Sequence, residues 1–361
     1  MEDLALNEID VIIPNLHWRY SGVTATNRMM APRLARLVRA VWFGTDRPDG
    51  IAALTVGGLM RLRRAMRDRG CIWHARRNDE MLAGLLLRLL GWPFKLVFTS
   101  AAQRRHSWIT RALIARMDAV IATGDAAASF LLRGATVIPH GVDSQLYCPP
   151  ADRLAAFAAS GLAGKYGIGC FGRVRRQKGT DVFVEAMCRL LPAHPDFTAL
   201  VIGPVTPDQR SFAAALKYRV DRAGLGGRVH FLGELPIEDV PRWYQRIAIY
   251  AFTSRVEGFG LTLLEAMAAG TALVAARAGA AERVVVPNET GMLVPPGDVD
   301  ALVAAIEPLM RDPARAAAMG QRARERAIAQ FSVDVEAERI AAVYCQVLEG
   351  RGRYFFSAKP R

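Results

Sequence analysis

Short apolar runs alternate with amphipathic stretches of helix length along the chain. In the first half the runs are IDVIIP (Ile9 to Pro14), RAVWF ending at Phe43, CIWH (Cys71 to His74), KLVFTS (Lys95 to Ser100) and DAVIAT (Asp118 to Thr123). After Pro149 and Pro150 the pattern resumes with GIGCFG, TALVIG, RVHFLG, IAIYAF and TALVAA, separated by helical patterns such as Thr180 to Leu191 and Pro207 to Ala223. Strands this apolar, alternating with helices, predict parallel sheets covered on both faces. The two series are separated by a stretch between Pro139 and Lys165 that Gly141, Pro149, Pro150, Gly161 and Gly164 punctuate. The expectation is an α/β chain of two doubly wound, Rossmann-like domains, residues 1–160 and 161–335, followed by a terminal helix and tail over 336–361.

The 361 residues suit two domains at roughly 150 each. A hydrophobic fraction of 52% and a mean hydropathy of +0.13 exclude a disordered chain. Net charge is +13, and it is uneven: residues 1–165 hold 22 Lys plus Arg against 13 Asp plus Glu. Part of the excess sits in a helical pattern from Gly58 to Arg69, where Arg61, Arg63, Arg64 and Arg67 oppose Leu59, Leu62 and Met66. That face is either solvated or turned to an anionic lipid surface or phosphorylated acceptor; no helix-turn-helix or zinc-finger pattern supports nucleic acid. Five dispersed cysteines without a CxxC pair indicate neither a disulfide framework nor a zinc site. The acidic start (Glu2, Asp3, Glu8) argues against export, and the most apolar window, Met81 to Phe98, is broken by Arg88, Pro93 and Lys95.

A literal GxGxxG occurs at Gly167, Gly169 and Gly172, but here the strand is the motif itself and a charged loop follows it, which argues against a dinucleotide site. The stretch reads better as a phosphate clamp. Gly172 ends a strand, Arg173 and Lys178 lie in the next loop, and Gly179 allows the turn into a helix. A second element runs from Glu257 through Gly258, Phe259, Gly260 and Leu261 to Glu265, entering a helix stopped by Gly270. Its glycines would open the helix N-terminus to a diphosphate, and its two carboxylates would reach different parts of one elongated ligand. Glu265 sits among Leu261, Leu264, Ala268 and Ala269, so it needs a hydroxyl or cation partner.

Taken together, Glu257 to Glu265, the Gly172-Arg173…Lys178-Gly179 loop, the PHGVD turn (Pro139 to Asp143) and GMLVPPGD…AL (Gly291 to Leu302) resemble glycosyltransferases of family 4, the retaining class with the GT-B fold. The likeness runs from about Ile9 to Leu348. Within that family the loop SGVTATNR (Ser21 to Arg28) and the segment FTSAAQRRH (Phe98 to His106) are similar to mannosyltransferases of lipopolysaccharide core assembly.

The resemblance implies two domains facing a central cleft, with the C-terminal helix crossing back onto the first. It puts Arg173 and Lys178 on the donor diphosphate and Glu265 on the ribose hydroxyls. Glu257 would hold the transferred sugar, and Gly22 would approach the diphosphate across the cleft. This chain has Ser21-Gly22 where many relatives have two glycines. Thr99 and Ser100 stand where many relatives have a histidine, and His106 is then either a distant substitute or an exposed helical residue. No DxD motif or ligand cluster suggests a bound metal, and no cofactor is implied.

The expected function is therefore retaining transfer of a hexose, mannose from GDP-mannose, to a lipid-anchored saccharide such as the Kdo region of a lipopolysaccharide precursor. The enzyme would be cytoplasmic and peripheral to the inner face of the membrane. Rival readings are a UDP-sugar donor with another glycolipid or polyprenyl-linked acceptor, a non-enzymatic anion-binding protein, and a nucleotide-sugar epimerase. The aromatic tail, Tyr354 to Phe356 within Arg351 to Arg361, reads as an unstructured terminus or a membrane contact.

Overall fold

The computed structural model describes residues 6–17, 22–66 and 70–349. The chain divides into two compact units, one running to His140 and taken up again from Val333, the other Gly141–Ser332.

In the first unit, β1 (Val11–Asn15), β2 (Ala40–Gly44), β3 (Ala52–Ala53), β4 (Cys71–Ala75), β5 (Phe94–Ser100), β6 (Ala119–Ala122) and β7 (Thr136–Val137) form a parallel sheet in the order 3-2-1-4-5-6-7. The crossovers carry α1 (Gly22–Leu37), α2 (Val56–Ala65), α3 (Asn78–Leu89), α4 (Trp108–Ile114) and α5 (Asp125–Ser129). Leu59, Leu62, Met81, Leu85 and Ile114 bring α2, α3 and α4 into one core on one face of the sheet. Trp73 of β4 lies flat against α3 because Gly84 has no side chain; a Cβ there would meet the indole at 2.6 Å. The same indole donates to the Glu80 carbonyl at 2.8 Å, while the Glu80 carboxylate caps α3 by accepting from the Arg76 and Arg77 amides.

The basic helix is α2, shorter than the sequence pattern suggested and capped by the Thr55 hydroxyl on the Gly58 amide at 3.0 Å. Leu59, Leu62 and Met66 are buried as the pattern requires, and Arg61, Arg63 and Arg64 are exposed. Arg67, Arg69, Ser21 and the 351–361 tail lie outside the described residues. β3 and β7 are two-residue strands, too short to leave a period in the sequence.

In the second unit, α6 (Arg153–Ala158) leads into β8 (Tyr166–Phe171), α7 (Thr180–Leu190), β9 (Phe197–Ile202), α8 (Arg210–Arg222), β10 (Val229–Gly233), α9 (Val240–Arg246) and β11 (Ile247–Phe252). It continues through α10 (Leu261–Ala268), β12 (Ala272–Ala276), α11 (Ala281–Val284), β13 (Met292–Val294), α12 (Val299–Arg311) and α13 (Pro313–Phe331). The six strands are parallel in the order 10-9-8-11-12-13. The last helix, α14 (Val333–Glu349), packs in the first unit against α1 and β4.

The division at His140/Gly141 comes before the residue-160 boundary read from proline and glycine punctuation, and the return comes at Val333 rather than 336. Several contacts hold this stretch: the Val142 amide donates to the Phe331 carbonyl, Gln245 to that of Cys148, and Arg153 does most for α6. Its guanidinium donates to the carbonyls of Tyr244, Gln245, Ile247, Ala269 and Gly270, fastening α6 to the second unit. Burial pulls that guanidinium down to about 10.

The glycines of the GxGxxG look-alike have packing roles. A Cβ on Gly167 would lie 2.9 Å from the Arg246 carbonyl, and one on Gly169 would lie 2.6 Å from the Phe171 ring. They let β8 sit tightly between its neighbours.

Candidate active site

In an open parallel sheet, ligands bind beyond the carboxyl ends of the strands. In the second unit two loops meet there, 172–179 after β8 and 253–260 after β11. Gly179 (φ +68°) makes the meeting possible, since a Cβ at that position would lie 1.9 Å from the Thr253 carbonyl oxygen. The Thr253 hydroxyl donates to the Lys178 carbonyl at 3.0 Å, and the Arg255 amide donates to the Gln177 carbonyl at 2.8 Å. Arg255 then forks onto the Asp181 carboxylate at 2.7 and 2.9 Å and reaches the Arg176 carbonyl. Two loops 79 residues apart in sequence are thereby held as one piece.

This tie brings the Lys178 ammonium onto the Glu257 carboxylate as a half-buried ion pair. Ser254 donates to the same carboxylate at 3.3 Å, and its other oxygen accepts from the Gly258 amide at 3.1 Å. Sequence reasoning gave these two side chains separate ligands and did not foresee that they pair with each other. Gly172 takes the positive φ (+136°) that turns the chain from β8 into this loop.

Beyond the pair, Gly260 (φ +95°) stands at the N-cap of α10, which no side chain caps by a hydrogen bond. Phe259 is fixed by its carbonyl, which accepts from the Ala280 amide at 2.8 Å while Gly279 passes beneath it. Leu261 opens the helix. The arrangement leaves a helix N-terminus beside a lysine, which suits an anion.

Glu265, one turn further along α10, has the partner its apolar surroundings demand. The Tyr244 hydroxyl donates to it at 2.7 Å, and Tyr147 also bonds to it. Burial raises the carboxyl above its usual range, and the same burial raises both phenols. Neither tyrosine was visible as a partner in the sequence, because both lie on elements far from Glu265.

Arg173 is exposed at the mouth of the site, and Gly22, the remaining expected residue, begins α1 in the first unit. Among the described residues no group of three or more His, Cys, Asp or Glu side chains is placed to hold a metal ion.

Residues 153–326 match the family model of the glycosyl transferases group 1. The chain is 48% identical over 346 residues to the lipopolysaccharide core biosynthesis mannosyltransferase LpcC of Rhizobium leguminosarum bv. viciae, covering 95% of this chain and 98% of that one. It is 42% identical to LpsB of Rhizobium meliloti, of the same description, over 94% of this chain and 98% of the relative. The chain belongs to the group 1 glycosyltransferases. Its two sheets have the GT-B architecture: Anabaena Alr3699/HepE, solved with UDP, superposes with a TM-score of 0.78 at 21% identity, over 94% of this chain and 100% of that one.

The first unit of this glycosyltransferase has a polar cluster of its own at the carboxyl end of its sheet. Arg77 donates to the Asn15 carboxamide at 3.0 Å and to the Thr24 hydroxyl at 2.7 Å, joining the end of β1 to the first turn of α1 beside Gly22. His106 proves to lie in the loop before α4 rather than on a helix. It is half-buried, its Nε2 stands 3.2 Å from the Ser100 hydroxyl at the end of β5, and burial lowers its pKa.

Proposed function

We propose that this glycosyltransferase moves mannose from GDP-mannose, with retention and without a metal, onto a lipid-anchored saccharide of lipopolysaccharide core assembly. The observation that carries the reading is the Lys178–Glu257 pair at the α10 N-terminus, in a chain 48% identical end to end to a lipopolysaccharide core mannosyltransferase.

Arg173 and Lys178 bind the diphosphate, with the amides from Gly258 to Leu261 supplementing them as charge develops on the leaving group. A diphosphate that takes over the Lys178 ammonium releases Glu257 to accept from hydroxyls of the transferred sugar. Glu265, held by Tyr244 and Tyr147, accepts from the ribose hydroxyls. The acceptor hydroxyl attacks the face that the diphosphate leaves, and its proton passes to a departing phosphate oxygen. No separate general base is needed, so Glu257 positions the sugar.

The enzyme works peripherally at the inner face of the cytoplasmic membrane, with no nucleic-acid partner. No helix among the described residues is long and apolar enough to cross a bilayer. Support for the surface comes from the outer side of the α2–α4 layer. Val56, Met60, Leu82, Leu86, Leu89, Trp108 and Ile109 are exposed on these helices, as are Arg61, Arg64 and Arg111, with Arg104 and Arg105 exposed in the loop before α4. Apolar residues among arginines suit anionic lipid headgroups.

The test is thermal stabilisation by GDP, UDP, ADP and their sugar conjugates, with and without EDTA, in wild type and Lys178→Ala. At ~100 times the dissociation constant a ligand stabilises by roughly 2.7 kcal/mol. The expected result is a GDP-selective, EDTA-insensitive shift that the variant loses. Selectivity for UDP, the nucleotide solved with HepE, overturns the donor assignment.

A further inference from the structure

Between the donor loop after β8 and the loop after β9 the second unit holds a cavity of about 390 Å³, lined by Arg173, Arg175, Arg176 and Gln177 from the first and by Thr206, Asp208 and Gln209 from the second. We propose that this cavity is a phosphoryl-binding subsite and that Arg175 is its anchoring residue.

Three guanidinium groups face one carboxylate, so the cavity favours an anion. Arg175 is the residue that marks a specific contact. Its Nε is buried and has no hydrogen-bond partner. An unpartnered charged donor is costly, and elsewhere in this unit the buried arginine donors are satisfied: Arg153 by five carbonyls, and Arg228 by those of Leu191, His194 and Phe197. A ligand oxygen in the cavity gives the Arg175 fork its missing acceptor, and phosphoryl oxygens match guanidinium geometry.

The walls are preformed. The Val174 amide donates to the Pro204 carbonyl at 3.0 Å, the Gly172 amide donates to the Ile202 carbonyl at 2.8 Å, and Gly203 (φ +145°) passes so close that a Cβ would lie 2.1 Å from the Gly172 carbonyl oxygen. Asp208 opposes the ligand. Its carboxyl is held below the usual range by Gln209 and Thr206, and more weakly by Arg175, so it stays charged and acts as a counter-ion until an anion replaces it.

The phosphoryl group has two possible sources: the nucleoside diphosphate of the proposed donor, in which case the subsite rests on that reading, or a phosphate carried by another substrate. Calorimetric titration of pyrophosphate, GDP and guanosine into wild type, Arg175→Gln and Asp208→Asn separates them. The expected result is at least tenfold weaker pyrophosphate binding in Arg175→Gln and tighter binding in Asp208→Asn, a gain that a damaged fold would not produce. If GDP weakens in parallel while guanosine is unaffected, the donor supplies the phosphoryl group. If pyrophosphate weakens and GDP does not, another phosphorylated ligand does. Pyrophosphate affinity within twofold of wild type in Arg175→Gln, or weakened in Asp208→Asn, overturns the subsite. A wild type that binds pyrophosphate but ignores GDP breaks the proposed function and leaves the subsite standing.

Discussion

The two units carry the same parallel-sheet design and use its surface in opposite ways. The second unit invests in the carboxyl ends of its strands. Loops there cross at distances only glycine permits, at Gly179 over Thr253 and Gly203 over Gly172, and Arg255 ties the first of these crossings to the Arg176 carbonyl and to Asp181. The first unit has one such crossing, Gly44 at the end of β2 over the Asn15 carbonyl, and otherwise joins its strand ends with side chains, Arg77 to Asn15 and Thr24, and His106 to Ser100. What sets it apart is the outer side of α2, α3 and α4, where large apolar residues stand exposed among arginines; Leu89 is 83% and Trp108 73% exposed. The contrast teaches that a fixed backbone frame suits a small, highly charged donor, whereas a broad surface of flexible side chains suits the large amphiphilic acceptor proposed above.

The sharpest way to break the first half of this contrast is Gly179→Ala. The backbone stands at φ +68°, and the new Cβ would lie 1.9 Å from the Thr253 carbonyl oxygen, so the backbone itself must shift. Left-handed strain and overpacking together should cost about 4 kcal/mol. Thermal unfolding should show the loss, and the variant should not be stabilised by nucleoside diphosphates. A variant with wild-type unfolding and binding would show that the crossing is not a constraint.

The second half is tested by replacing Arg61, Arg63 and Arg64 with Ser. At about 1 kcal/mol per basic residue near an anionic surface, vesicle binding at low salt should fall by roughly 100-fold. Donor binding should be unchanged, because all three residues are on α2 in the first unit. Unchanged sedimentation with phosphatidylglycerol vesicles would remove the membrane from the picture.

Arg255→Ala probes the tie between the donor loops more gently. It deletes a two-pronged, partly buried ion pair with Asp181 and a bond to the Arg176 carbonyl. We expect a loss of about 2 kcal/mol in stability and a raised KM for the donor with a smaller change in kcat. If Asp181→Asn and the double variant lose the same amount as Arg255→Ala, the effect belongs to that pair.

Much of this contrast could be read in the sequence, and the gaps have physical causes. The alternation of apolar runs and helical patterns located the strands because parallel strands are buried on both faces and leave long uninterrupted signals. It missed β3, β7 and β13, which are two or three residues long. Arg173, Lys178, Glu257 and Glu265 were marked by the glycines around them. Their pairings were not, since Lys178–Glu257 spans 79 residues and Tyr244 reaches Glu265 from another helix. Proline and glycine put the boundary after α6, but α6 belongs to the second unit through Arg153, whose bonds to five carbonyls no local pattern announces.

The smallest effect is a dependence on pH carried by single buried residues of either unit. In the first, His74 is buried with Nδ1 2.5 Å from the Tyr344 hydroxyl of α14 and Nε2 2.7 Å from the Thr99 hydroxyl. Burial foremost, and Arg76 secondarily, put its pKa well below the ordinary value. The unfolded chain takes up a proton at this residue below about pH 6.5 and the folded chain does not, so His74 withdraws stability as the pH falls. In the second unit Glu265 has the opposite sign: its raised pKa means that the folded state gains a proton before the unfolded state does, and acidification relieves its burial penalty. Glu80 in the first unit is also raised and works against His74, whereas the lowered His106 works with it. The informative quantity is therefore the difference in unfolding midpoint between wild type and His74→Gln. It should shrink as the pH is taken from 7.5 to 5.5, because the glutamine has no proton to gain. A difference that stays constant across that range would mean that His74 does not stay neutral in the folded state as its pH is lowered.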